Sequence, residues 1–217
     1  MIEQVMNVIG GPFPLSAVTG NPYGTVEKSG MEFCIDTYRM GDVGNICTIR
    51  MNAMGGRMTM EAVIVTADGR DVPLFSSDVI HAAGNHTCLV EFYDTMLESL
   101  SEEQKAGFWA VKELYDDLPK VGHEPRWYDG ILYDFSLAAI GEETGKKADT
   151  IVTAYAERYV DLLKNAPACD PASKRAKTRE YVDNLFSQGG PAAEQFVRLL
   201  GADAAKELFT KYVFCCG

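Results

Sequence analysis

The sequence predicts an α+β domain in which an antiparallel sheet is covered by helices. Two observations carry this. The first half is a succession of short segments rich in β-branched and aromatic residues, divided by Gly- or Asp-containing turns. The second half changes period, to apolar residues at helical spacing. No internal repeat, low-complexity tract or long linker divides the 217 residues, so a single domain over residues 1–217 is expected.

The strand segments are "MEFCIDTYRM", "NICTIRMNAM", "GRMTMEAVIVTA", "DVPLFSSDVI" and "HTCLVEFYD". Their short separations predict sequential hairpins. The clearest turns hold Gly55-Gly56 and Asp68-Gly69, positions that commonly need positive φ. The helical segments are "SLSEEQKAGFWAVKELYDDL", "EETGKKADTIVTAYAERYVDLLKNA", "SKRAKTREYVDNLFSQ" and "PAAEQFVRLLGADAAKELFTKYVF". Ser101 before Glu102 and Glu103 suits a helix start, and Pro191 a first helical turn. Between the first two helices, the aromatic run "EPRWYDGILYDFSLAAIG" is read as a further strand. Helices on both faces would bury the sheet on both sides, so polar residues on its strands must be satisfied internally or by a ligand.

Composition narrows the function. A formal net charge of −11 argues against nucleic-acid binding, which needs Lys and Arg clustered against phosphates, and against an anionic membrane surface. No positive leader and no apolar run of roughly 20 residues is present, so a soluble, cytoplasmic protein is expected. Six cysteines without metal spacing, in a chain too large to need stapling, are read as reduced thiols; Cys215-Cys216 lacks a CxxC spacing or a nearby His. One basic stretch, "SKRAKTRE", concentrates Lys174, Arg175, Lys177 and Arg179. It is either a solvated helix start or a docking patch for an acidic partner.

No nucleotide-binding glycine fingerprint, zinc-protease helix or nucleophile elbow is present. His81, His86 and His123 lack metal-ligand spacing, and the two flanking "HAAGNH" read as solvated loop residues. What remains is the strand "CLVEFYD", which ends on acids. An ionised carboxylate on a buried strand is costly unless it is paired or holds a proton.

Three blocks, in order, resemble the ferredoxin-dependent bilin reductases, which include phycocyanobilin:ferredoxin oxidoreductase and share a fold with red chlorophyll catabolite reductase. "DVPLFSSDVI" is similar to that family's LPLFGxD strand, with Pro73, Leu74, Phe75 and Asp78; "EPRWYDGILYDFSL" to its Pro-x-Trp strand; and "REYVDNLFSQ" through "FTKYVF" to its C-terminal helix pair. The similarity spans roughly residues 20 to 214. It implies an α/β/α sandwich with a central antiparallel sheet flanked by helices. An open-chain tetrapyrrole such as biliverdin would lie between the sheet and the C-terminal helices. It implies no bound flavin or metal: single electrons would come from ferredoxin or flavodoxin, and protons from protein carboxylates.

By the family pattern the catalytic Asp falls on Asp94, with Glu91 as the alternative if the turn aligns differently. The residue at the strand end would then be a proton donor kept near neutrality by an apolar ligand. Asp78, Arg50 and Arg126 are the implied substrate contacts, the arginines for propionates by forked contacts. Lys174, Arg175 and Lys177 are the implied docking surface for the electron donor. Ungapped placement puts Arg50 and Ala62 where phycocyanobilin-forming members carry a Glu and a His, and Gly190 near the family's second Asp. A non-catalytic tetrapyrrole-binding protein that retains the fold is therefore the alternative.

Overall fold

The computed structural model describes residues 1–122 and 124–217. His123 lies outside the described residues. The sheet is antiparallel and eight-stranded: β1 (Leu15–Ala17), β2 (Thr25–Lys28), β3 (Met31–Met40), β4 (Gly44–Ala53), β5 (Met58–Ala67), β6 (Leu74–Ala82), β7 (Asn85–Tyr93) and β8 (Leu137–Ile140). Strands β3 to β8 follow one another across the sheet, while β1 and β2 share the outer edge of β3.

Two apolar clusters, one on each side, make the chain an α/β/α sandwich. One face packs against α1 (Ile2–Gly10), α2 (Glu102–Glu113) and α3 (Glu142–Asn165) through Val63, Val65, Phe75, Val90 and Phe92. The other packs against α4 (Pro171–Ser187), α5 (Pro191–Leu200) and α6 (Ala202–Leu208) through Phe33, Ile35, Ile49, Ala62, Ile64 and Leu74. Alternate residues of one strand thus serve opposite cores, as the pleat requires. Phe92 centres the first cluster, with its ring 4.8 to 5.8 Å from Phe108, Phe75, Phe135 and Tyr155.

The expected elements differ from the observed ones in several places, among them the short edge strands β1 and β2, which precede the first expected strand. A first helix, α1, precedes the sheet and buries Ile2, Val5 and Ile9. The aromatic run after α2 folds as a 3₁₀ turn over Trp127–Gly130, and only Leu137–Ile140 pairs as a strand. The long C-terminal helix is broken at Gly201, whose φ of 87° lies in the left-handed region, and closes in a π turn over Phe209–Val213. Gly55 and Gly56 have positive φ as expected, but Gly69 is needed for close approach instead. A Cβ there would stand 1.9 Å from the Asp42 carbonyl oxygen.

Helix starts follow the capping signals. Ser101 accepts from the Gln104 N–H at 3.2 Å while the Gln104 side chain accepts from the Ser101 N–H at 2.8 Å. Asp170 accepts from the Ser173 N–H at 2.8 Å and starts α4 with Pro171 in its first turn. No described helix is long and apolar enough to cross a membrane. All six cysteines are free thiols, and burial pushes Cys215 up to about 12 and Cys216 up to about 11.

Candidate active site

Asp78 lies mid-strand in β6, on the face that carries Leu74 and that α4 to α6 cover. Its cross-strand neighbours are Ala62 on β5 and Leu89 on β7. Burial among apolar side chains pushes its carboxyl up to about 7, and the nearby charge of Glu91 adds to the rise. Among the described residues it is an acid that holds its proton close to neutral pH.

Glu91 is on the same face, opposite Ser76 and one diagonal from Asp78. Three phenols surround it. The Tyr93 phenol lies close enough to the Glu91 carboxylate and to Tyr181 of α4 for each to act on its titration. The Tyr93 ring lies 4.9 Å from that of Tyr181 and 5.9 Å from that of Tyr128. Burial, and then the Glu91 charge among other neighbours, holds all three phenols above their ordinary value. A cavity of about 170 Å³ opens beside Glu91, walled by Leu89, Tyr128, Leu132, Ser136 and Ala138. Its outer wall is the 3₁₀ turn, tied down where the Trp127 indole donates to the Gly189 carbonyl at 2.7 Å.

The other expected site residues do not converge here. Asp94 lies one residue past the end of β7, exposed, and its carboxylate accepts from the Met96 N–H at 3.2 Å. It caps an exposed turn, so the expectation of an apolar environment around it is corrected. Arg50 pairs with Glu61 across β4 and β5, on the face opposite to Ala62 and Asp78. There its guanidinium stands 3.8 Å from Glu61 and 3.9 Å from Asp36, beside a separate cavity of about 420 Å³. It is therefore no partner of Asp78 and Glu91. Arg126 is exposed at the start of the 3₁₀ turn, near enough to Tyr128 to act on its phenol.

Lys174 is the clearest correction to the basic patch. Its side chain is 1% exposed and donates to the carbonyls of Val72 at 2.7 Å and Thr95 at 2.6 Å, with Asp71 at 3.5 Å. Asp71 in turn accepts from the N–H groups of Leu97 and Glu98. The Lys174 ammonium is a structural clamp that no partner protein can reach. Arg175 pairs with Asp68 at 2.9 Å, and Lys177 is exposed. His81 and His86 are not solvated loop residues either. They face each other across the β6–β7 hairpin, partly buried and hydrogen-bonded through Nδ1, where Gly145 leaves room for the His86 ring.

Sequence reasoning missed the phenols. The signal was present: in "EFYD" strand alternation puts Glu91 and Tyr93 on one face and Phe92 on the other. Tyr128 and Tyr181 come from segments far away in the chain and carry no local mark. The arrangement, an acid retained near neutrality on an apolar sheet face beside a second carboxyl, is suited to general acid chemistry on a ligand held against that face.

Among solved structures, the fold is shared with phytochromobilin synthase from tomato, in a crystal structure with biliverdin. The TM-score is 0.77 at 11% sequence identity, covering 99% of this chain and 82% of that one. No protein-family model and no curated protein matches the sequence.

Proposed function

We propose that this chain binds a linear tetrapyrrole of the biliverdin type on the Asp78–Glu91 face and reduces it, with Asp78 as proton donor. The observation that carries this reading is the retained acid: Asp78, pushed up to about 7, on an apolar sheet face. The shared fold supports it, since the tomato enzyme's structure contains biliverdin. Asp78 takes the role that the sequence resemblance assigned to Asp94.

Electrons enter one at a time from ferredoxin or flavodoxin, and the reading calls for no resident flavin or metal. Each electron raises the basicity of the conjugated ligand, and the Asp78 carboxyl supplies a proton to the reduced carbon framework. Arg126, at the outer end of the 3₁₀ turn, meets a propionate where it remains close to water. The Glu91 cavity, at about 170 Å³, is smaller than the roughly 300 to 1,000 Å³ of most small-molecule sites, so the ligand lies over the Asp78 face beside it, and the Trp127–Gly130 turn moves outward to admit it. Purified protein titrated with biliverdin should shift the visible spectrum and saturate near one to one. Anaerobic addition of reduced ferredoxin should then bleach the bound pigment. Saturable binding without reduction would favour the non-catalytic tetrapyrrole carrier, and absence of binding would remove both.

A further inference from the structure

Reduction of one double bond consumes two electrons and two protons, and Asp78 carries one proton at a time. A flat ligand over β5 to β7 separates that carboxyl from bulk water, so recharging must run through the protein. Glu91 lies on the diagonal from Asp78, on the same face. It also lines the cavity that Tyr128 closes on the outside, and Tyr128 is partly exposed next to the exposed Arg126 and Asp129. At about 170 Å³, with Glu91, Ser136 and the Tyr128 hydroxyl as polar partners, the cavity has room for several waters. Behind Glu91, the Tyr93 and Tyr181 phenols stand close enough to act on its carboxylate.

We propose that Glu91 recharges Asp78, passing a proton from water in the Tyr128 cavity to the Asp78 carboxylate between the two proton transfers to the ligand. The inference rests on the tetrapyrrole reductase reading. The ligand takes two electrons, singly, from a reduced iron–sulphur protein, which is oxidised. The Asp78 O–H breaks as the first ligand C–H forms; a proton from solvent, delivered through the cavity water, then forms the Glu91 O–H, which breaks as the Asp78 O–H re-forms. That second Asp78 proton makes the second new bond to hydrogen, and a further solvent proton passed through Glu91 restores the Asp78 carboxyl. Glu91 thus acts through Asp78 and not on the ligand.

The test is anaerobic stopped-flow reduction of the biliverdin complex of the full chain by excess reduced ferredoxin, with each one-electron phase followed by its spectrum. Glu91→Gln should leave biliverdin affinity and the first phase within about twofold of wild type and slow the second phase about tenfold or more. Added imidazole or another small diffusible acid should restore the second phase, and Glu91→Asp should retain part of it. Tyr93→Phe, which removes the hydroxyl beside Glu91, should slow the second phase less. A wild-type second phase in Glu91→Gln overturns the relay. So does a slow phase that small acids leave unchanged, because a merely structural glutamate gives that result. If wild-type protein binds biliverdin but shows no reduction at all, the reductase reading fails and the relay with it.

Discussion

Asp78 and Glu91 stand on one diagonal of the β6–β7 ladder, Asp78 opposite Leu89 and Glu91 opposite Ser76, both on the α4 side of the sheet. Two carboxyls so placed on an apolar surface do not both ionise readily, and burial followed by the Glu91 charge pushes the Asp78 carboxyl up. Asp78→Asn keeps the shape and the hydrogen-bonding capacity but has no acid proton. The expected outcome is unchanged biliverdin affinity with turnover lowered by about 10² to 10⁴-fold, the size of a general-acid contribution. Asp94→Asn, at the exposed turn, should leave turnover within about twofold. Steady-state rates and a binding titration of both variants check this.

The same carboxyl sets a pH dependence of folding. Its folded value of about 7 lies above the ordinary 3.8, so the native state binds the proton more tightly than the unfolded chain does. The resulting stability is fully present below about pH 4 and is lost as the pH rises through 7. The change amounts to at most about 4 kcal/mol, and less because water reaches part of the group. Asp78→Asn should remove this slope and leave the protein more stable than wild type at pH 8. Urea unfolding at pH 5, 6, 7 and 8 measures it.

The sheet was legible because its strands alternate cleanly and its turns carry glycine, and α3 because one apolar stripe runs along its 24 residues. The site was legible only in part. Asp78 and Glu91 were visible as acids on strands, but the resemblance placed the proton donor on Asp94, with Glu91 as the alternative if the turn aligned differently, and made Asp78 a substrate contact. Loop pairing ends that strand at Tyr93, where the Asp94 N–H turns to the Ile131 carbonyl at 2.7 Å. Lys174 looked like surface charge because its sequence neighbours are charged. Its partners, Val72 and Thr95, lie 102 and 79 residues away, and no local pattern announces such a contact.

Lys174 gives a stability prediction of the opposite kind. Lys174→Met fills similar volume but leaves the Val72 and Thr95 carbonyls without their donor and the buried Asp71 without its counter-charge. Breaking a buried pair by removing one partner costs about 3 to 5 kcal/mol. The α4 N-terminus and the loop after β7 should both loosen. Chemical denaturation gives the loss, and hydrogen exchange at Leu97 and Glu98, whose amides Asp71 holds, should locate it.

With Lys174 inaccessible, the proposed docking of an acidic electron donor on this stretch would rest on Arg175 and Lys177. Reversing both to Glu should slow reduction by an acidic ferredoxin severalfold at low ionic strength while leaving pigment binding intact. The difference should fade as salt shortens the screening length to about 8 Å or less. Because Arg175 also pairs with Asp68, Lys177→Glu alone separates docking from loss of that pair. Equal rates for the Lys177 variant and wild type at low salt would move the docking surface elsewhere.

The two faces of the sheet supply a final discrimination, between Arg50 and Arg126. Arg50 belongs to the face of Glu61 and the larger cavity, with the full thickness of the sheet between it and Asp78. Arg126 leads into the 3₁₀ turn whose Tyr128 walls the Glu91 cavity. If the ligand lies on the Asp78 face, Arg126→Gln should weaken binding by the worth of one exposed charge-assisted contact, about 1 kcal/mol or roughly fivefold in Kd. Arg50→Gln should not change it. Repeating the titration with the dimethyl ester of biliverdin, which has no propionate charge, should abolish the difference between Arg126→Gln and wild type. The reverse pattern, with Arg50→Gln sensitive and Arg126→Gln silent, would place the tetrapyrrole in the 420 Å³ cavity on the α3 side and detach Asp78 from its chemistry.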